Sequence, residues 1–251
     1  MRVITLNLNG IRSAAAKGTL EWLAAQNADA ICLQEVRAQG HQLPLELSLL
    51  PKHQHWHFAQ QPGYSGVGLL LRKKPQRVMQ GFGSSLDHEG RLVRADYKGY
   101  SIISVYIPSG SSGSHRQALK MQFLSEFLPY LQGLVEEGRE VIVCGDVNIA
   151  HKPIDLKNWR ANQKTPGFLP EEREWLDRLL QAGYVDVFRQ LVGPEAEHYT
   201  WWSARGTARA KNVGWRLDYQ FATAGMAKRA RKPSIYREGF FSDHAPVTVE
   251  Y

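Results

Sequence analysis

The sequence predicts an α/β sandwich of two similar halves, with two sheets face to face and helices outside. Three observations carry this. Apolar strand-like runs alternate with helical stretches along the whole chain. Two of those runs end in the same polar-x-Asn step, Asn7-Leu8-Asn9 and Asp146-Val147-Asn148. No linker or low-complexity segment interrupts the 251 residues, so one domain spanning 1–251 is expected. Area scaling gives about 11,000 Å² exposed when folded against about 41,000 Å² extended, enough burial for a core without disulfide or metal staples.

The elements follow in order. Residues 3–9 (VITLNLN) read as a strand, and Ser13 to Gln26 as a helix with a Leu20, Leu23, Ala24 stripe. Strands follow at 31–35, 66–72, 91–97 and 101–108, the last two joined through Lys98-Gly99 as a hairpin. Ser114-His115-Arg116-Gln117 offers a capping box for a second helix, which Pro129 should kink or end. A buried strand (140–146), a helix (170–183) stopped by Gly183, and closing strands at 217–223 and 244–251 complete the pattern.

Composition excludes several classes. Hydrophobic residues at 43% with charged residues at 22% rule out a low-hydrophobicity disordered chain. Neither a transmembrane run nor a secretion signal is visible in the sequence. Cys32 and Cys144 each lie inside an apolar run, which predicts buried free thiols in a reducing cytoplasm. The net charge of +7 favours polyanionic partners only weakly, but its distribution is more informative. From Thr200 to Arg237 there are nine Lys and Arg, Arg209 and Lys211 among them, against the single acid Asp218. Trp201, Trp202, Trp215, Tyr219 and Phe221 are interleaved with these cations, and Tyr219 and Phe221 are expected to alternate across a strand. Cations that neutralise phosphates beside an apolar wall that accepts a sugar or base suit a nucleic acid.

Asn7, Glu35, Asp146, Asn148, Asp218 and Asp243 each fall at or just after the end of a strand-like run. Loops begin at strand ends, and that explains any one of them. Six together point to a site, because carboxylates beside apolar strands are costly to desolvate unless paired or bound to a cation. Hard oxygen donors without a Cys/His cluster suit Mg²⁺, with Mn²⁺ the alternative. His244, beside Asp243, adds a base able to act on a phosphoryl oxygen or a water. His53, His55 and His57 alternate and admit a metal site, but a solvated strand face explains them better, since no carboxylate is interleaved. Phosphate-binding Gly loops and a nucleophile elbow are absent.

Read as ordered blocks, the chain resembles the exonuclease III type of abasic-site endonuclease, within the endonuclease/exonuclease/phosphatase superfamily. The blocks are residues 7–18 (NLNGIRSAAAKG), 31–38 (ICLQEVRA), 63–72 (GYSGVGLLLR), 104–110 (SVYIPSG), 141–159 (VIVCGDVNIAHKPIDLKNW), 211–220 (KNVGWRLDYQ) and 241–246 (FSDHAP). The resemblance implies a four-layered sandwich of two mostly antiparallel sheets, DNase I-like. It implies a Mg²⁺ site at Glu35 with Asn7, and Asp243 near an alternative metal position. It implies Asp146 and Asn148 at the attacking water, His244 with its acid partner Asp218 at the scissile phosphate, and Tyr106 on the phosphate side. Trp201, Trp215 and Leu217 match a pocket for the base-less sugar, with Arg116 and Lys164 as backbone contacts.

The implied partner is double-stranded DNA with abasic sites or damaged 3′ ends, with no membrane and no obligate protein partner. Trp201 stands where some relatives have Phe, Thr165 where others place Asn, and the Ser109 to Ser114 loop lacks an arginine that some relatives insert into DNA. Two other readings stay open: a catalytically silent nucleic-acid-binding regulator on the same fold, and a superfamily phosphatase.

Overall fold

Twelve of the fourteen strands form two six-stranded sheets in the computed structural model, which describes residues 1–251 throughout. Along the chain the strands are β1 (Arg2–Asn7), β2 (Ala30–Gln34), β3 (His53–His57), β4 (Val67–Leu71), β5 (Arg77–Gln80), β6 (Leu92–Tyr97) and β7 (Tyr100–Tyr106). They continue as β8 (Glu140–Asp146), β9 (Tyr184–Asp186), β10 (Trp201–Trp202), β11 (Gly214–Trp215), β12 (Asp218–Thr223), β13 (Arg231–Ile235) and β14 (Val247–Glu250). The helices are α1 (Ile11–Ala15), α2 (Thr19–Ala25), α3 (Ser114–Glu136), α4 (Pro170–Gln181), α5 (Val187–Val192) and α6 (Ala224–Ala227).

One sheet has the order β13-β14-β1-β2-β4-β3 and the other β5-β6-β7-β8-β12-β9. Each holds one parallel pair at its centre, β1 with β2 and β7 with β8, and is antiparallel elsewhere. The echo between Asn7 and Asp146 is therefore structural: β1 and β8 are corresponding central strands. The two sheets are not sequence halves, since β13 and β14 return from the C-terminal end to the first sheet.

Alternation along the strands builds four layers. Val3, Cys32, Leu69, Ala95, Ile142 and Cys144 pack between the sheets, and both cysteines are buried and free, as expected. Ile4, Leu6 and Leu33 face outward onto Ile11, Leu20 and Leu23 of α1 and α2. On the other side Ile103, Val143 and Phe221 meet Phe123 and Phe127 of α3 and Trp175 of α4. The accessible surface is 10998 Å². Two separate globules of half the mass would expose about 13,000 Å², so the sheets share one buried interior.

Several local expectations are corrected. The helix expected over 13–26 is two helices, because Gly18 at φ 76 turns the chain left-handed between them. No capping box opens α3: Gly113 at φ 105 flanks it and Ser114 already lies inside the helix. Pro129 does not end α3, which runs 23 residues. Its buried stripe continues beyond the proline through Leu131 and Leu134, and that packing outweighs the lost backbone bond. Tyr219 and Phe221 share one face, two residues apart, and stack at 4.9 Å. His53, His55 and His57 form the half-buried edge strand β3 and join no metal-ligand group; His57 Nδ1 meets the Leu92 carbonyl.

The segment between β11 and β12 is held from beneath by a buried ion network. Arg216 binds Asp155 at 2.8 Å and Asp186 at 2.7 Å, and Arg189 binds Asp155 at 2.6 Å. Burial would raise the Asp155 carboxyl, but Arg216 and then Arg189 outweigh it and hold it at about 2, below its ordinary 3.8. A depressed carboxylate stabilises the fold fully above its ordinary value and loses that contribution as the pH falls through the folded one. Between pH 4 and pH 2 the wild type should thus lose about 2 kcal/mol of unfolding free energy from this group. Asp155→Asn should be about 3–5 kcal/mol less stable at pH 7, leaving Arg216 short of a partner, and should lack that acid slope. Urea unfolding at stepped pH checks this; an unchanged slope in the variant would refute the assignment.

Candidate active site

The parallel central pairs bring strand ends of both sheets to one rim of the sandwich. Asn7 ends β1, Tyr106 ends β7 and Asp146 ends β8, while Glu35 follows β2 directly. Antiparallel β12 starts opposite Asp146 with Asp218, and Trp201 bridges to His244 ahead of β14. Glu35 and Asn148 sit at φ 48 and φ 55, where the chain turns sharply off its strand and leaves the side chain at the rim.

The Asn7 amide nitrogen donates to Glu35 Oε1 and to Asp146 Oδ2, both at 2.8 Å, and so ties the two sheets' carboxylates together. Its oxygen accepts from the Asn9 backbone N–H. Asp146 also accepts from the Asn148 N–H at 2.9 Å and from the Asn148 side-chain amide at 3.2 Å. His244 Nδ1 meets Asp218 Oδ2 at 2.8 Å, and its Nε2 lies 3.7 Å from Asp146 Oδ2.

Charge in this place is dear. Burial first, then the Asp218 and Glu35 carboxylates, raise Asp146 to about 7 against the opposing pull of His244. Burial alone would lower His244, but Asp218 and Asp146 outweigh it and raise the imidazole to about 10. The His244 imidazole therefore stands between the carboxyl groups of Asp218 and Asp146. Burial and the Glu35 charge raise the Tyr106 phenol well above its usual value, so it remains a neutral donor.

Ligand atoms of Glu35, Asp146 and His244 all lie within 4.8 Å of one another. The two buried carboxyl groups of Glu35 and Asp146 are oxygen donors that fit a hard divalent cation, whose binding favours their ionised form. Asp243 is outside that group: it accepts from the Asn9 amide at 2.9 Å and the Trp201 indole at 3.0 Å. Burial would raise its carboxyl, but His244 and these bonds hold it below the usual range.

These groups open onto a cavity of about 650 Å³ whose lining includes Tyr106, Asn148, Trp201, Trp215, Leu217 and His244. The model of the endonuclease/exonuclease/phosphatase family matches residues 4–244, taking in the whole constellation. The chain belongs to that family.

Among relatives, an exodeoxyribonuclease of Bacillus subtilis is 37% identical over 251 residues, covering 99% of this chain and 98% of its own. A DNA repair nuclease of Danio rerio, APEX1, is 36% identical, covering 99% of this chain and 81% of its own. In structure, an AP endonuclease from Archaeoglobus fulgidus superposes with a TM-score of 0.88 at 28% identity, over 100% of this chain and 99% of that one.

The family resemblance and the charge count place the remaining residues less evenly. Arg116 lines the cavity, but its guanidinium is engaged by Glu89 at 3.2 Å and by the Tyr64 hydroxyl. Lys164 is exposed on the segment between Asn162 and Thr165, which line the cavity while it does not. Lys211 is exposed after β10, whereas Arg209 spends its donors on the Ser242 and Gly239 carbonyls, at 3.0 and 2.7 Å.

The basic window is thus not one face. Arg216 is buried in its ion network, and Arg231 and Lys232 pair with Glu250. Lys228 and Arg229 follow α6, at the end of β12 remote from Asp218. Sequence reasoning missed Asn9, which binds Asp243, and Arg37, which ion-pairs with Glu35. It also missed Tyr64 and Arg91. Arg91 is buried, donates to the Tyr106 carbonyl at 3.0 Å and lies 4.8 Å from the Tyr106 ring centroid. Their signal was available in the quoted 63–72 block and in an arginine opening an apolar strand.

Proposed function

We propose that this chain is a Mg²⁺-dependent DNA-repair nuclease of the exonuclease III type, acting in base excision repair. It hydrolyses the phosphodiester 5′ to abasic sites in double-stranded DNA and cleans damaged 3′ ends, with a 3′ to 5′ exonuclease activity on the same site. The observation that carries this is the hydrogen-bonded Asn7–Glu35–Asp146–His244–Asp218 constellation, which reaches through Glu35 and His244 a cavity walled by Trp201, Trp215 and Leu217. An indole-lined cavity suits a sugar that has lost its base, and the relatives' names as exodeoxyribonuclease and AP endonuclease support the same reading.

In this reading Glu35 and Asp146 hold the divalent cation, Mg²⁺ or else Mn²⁺. When bound, it neutralises phosphoryl oxygens and assists the departing 3′-oxygen. Asp146 and Asn148 orient the attacking water. His244, kept protonated and aimed by Asp218, donates to a non-bridging phosphate oxygen, and Tyr106 does so from the second sheet. Water supplies the new P–O bond, the P–O3′ bond breaks, and the products are a 3′-hydroxyl and a 5′-phosphate. Asp243 acts beside this centre as the acceptor that fixes Trp201. Arg116, Lys164, Arg209 and Lys211 border the DNA path. The two buried thiols fit a cytoplasmic protein, and no helix is long and apolar enough to cross a membrane.

The test is a labelled duplex with one abasic-site analogue, with Mg²⁺ and with EDTA, beside an undamaged duplex with a recessed 3′ end. The expected outcome is metal-dependent incision immediately 5′ to the lesion, abolished by EDTA. Tight binding without cleavage would favour the silent regulator. Hydrolysis of a phosphomonoester of a small molecule, with DNA untouched, would favour the phosphatase.

A further inference from the structure

Behind the cavity wall lies an ion pair with no exposure at all. Lys120 falls on the apolar stripe of α3 with Phe123, Leu124 and Phe127, and its partner Glu172 lies in the first turn of α4; both side chains are 0% exposed. Lys120 Nζ is 2.5 Å from Glu172 Oε1 and donates to the Asn148 carbonyl at 2.7 Å. The other oxygen of Glu172 accepts from the Gly167 N–H at 2.7 Å and the Leu169 N–H at 2.9 Å.

Three segments therefore meet at one pair: α3, the turn after β8, and the 165–169 loop, whose Thr165, Pro166 and Gly167 wall the cavity. The fit is close, since a Cβ on Gly167 would lie 3.2 Å from the Asn148 oxygen. Asn148 itself is held left-handed and grips Asp146 through its N–H and its side chain.

We infer that Lys120 is a positioning residue for Asn148, and through it for Asp146, and that Glu172 serves as its buried counter-ion. A buried ion pair contributes little stability over a well-packed apolar pair. What Lys120 supplies, and an apolar residue would not, is a donor fixed at one carbonyl of a backbone turn that L-residues seldom adopt. The inference rests on the proposed nuclease activity for its kinetic consequence alone.

The experiment compares wild type, Lys120→Met, Lys120→Met/Glu172→Gln and Glu172→Gln by thermal unfolding, abasic-duplex kinetics and amide hydrogen exchange. Lys120→Met leaves a buried carboxylate unpaired and lowers Tm. The double variant removes both charges, keeps an acceptor for the Gly167 and Leu169 amides, and recovers most of the Tm. Its kcat is expected to stay about 100-fold below wild type with KM unchanged. Glu172→Gln leaves Lys120 on Asn148 and should keep kcat within about tenfold of wild type. Exchange at the Asn148 amide should rise at least about tenfold in both Lys120 variants, even if the wild type cleaves no DNA.

Asn148 exchange unchanged in both, kcat returning together with Tm in the double variant, or a loss in Glu172→Gln equal to that in Lys120→Met would each overturn the inference. An inactive wild type whose Asn148 exchange responds to Lys120 would overturn the nuclease reading and leave the positioning role standing.

Discussion

Asp146→Asn is expected to lower turnover of abasic duplex by about 10⁴-fold while leaving DNA affinity within about threefold of wild type or tighter. The carboxylate is wholly buried and accepts three donors, two from Asn148 and one from Asn7. An asparagine has the same shape but one acceptor oxygen, so an amide must face either Asn148 or Asn7, and the orientation of the attacking water is lost with the charge. Binding survives because the walls Trp201, Trp215 and Leu217 are untouched. One negative charge fewer also eases the approach of a phosphate. Single-turnover cleavage and fluorescence anisotropy on the same duplex separate the two effects. Weakened binding with unchanged turnover of bound substrate would refute the role assigned to Asp146.

Why Asp146 could be found in the sequence is itself physical. A fully buried strand reads as a continuous apolar run, and a carboxylate at its end is an anomaly needing compensation. Glu35 and Asp146 announce themselves this way, whereas Asp218 opens its strand, contrary to the expectation that it ends one. What lies between strands is harder to read. Neither the run at 3–9 nor the run at 244–251 says that β14 crosses the whole chain to pair with β1. That pairing nevertheless brings His244 to Asp146.

Helix punctuation misled for the same reason. Gly18 and Pro129 look alike as breakers, yet the chain turns at the first and passes through the second. Only the stripe of Leu131 and Leu134 buried beyond Pro129 decides it. Charge counting was the weakest guide, because it does not distinguish an arginine buried against Asp155 from a lysine facing solvent. The one signal left unread was Lys120, a cation at the i, i+3, i+4, i+7 spacing of an apolar stripe, where nothing but a buried partner makes sense.

Glu35→Gln should raise the Mg²⁺ concentration needed for half-maximal cleavage by about 100-fold, with activity partly restored at saturating metal. Mg²⁺ is usually held by only one or two carboxylates, so removing Glu35 takes away half of the fixed anionic charge that Glu35 and Asp146 present. The amide keeps the shape, and its oxygen can still accept from Asn7, so the fold and the Asn7 bridge are retained. Mn²⁺, which tolerates nitrogen and neutral oxygen donors better, should restore more activity than Mg²⁺ at equal concentration. Asp243→Asn is the necessary contrast. Its carboxylate is already taken by Asn9 and Trp201, so its metal requirement should move by no more than about threefold, while loosened Trp201 weakens retention of the lesion. The two variants thus place the cation by its response: a shift at Glu35 alone puts it between the sheets, beside Asp146. An equal shift at Asp243 would put it across the cavity, against the Trp201 wall, and Asp146 would then act on water without a cation beside it.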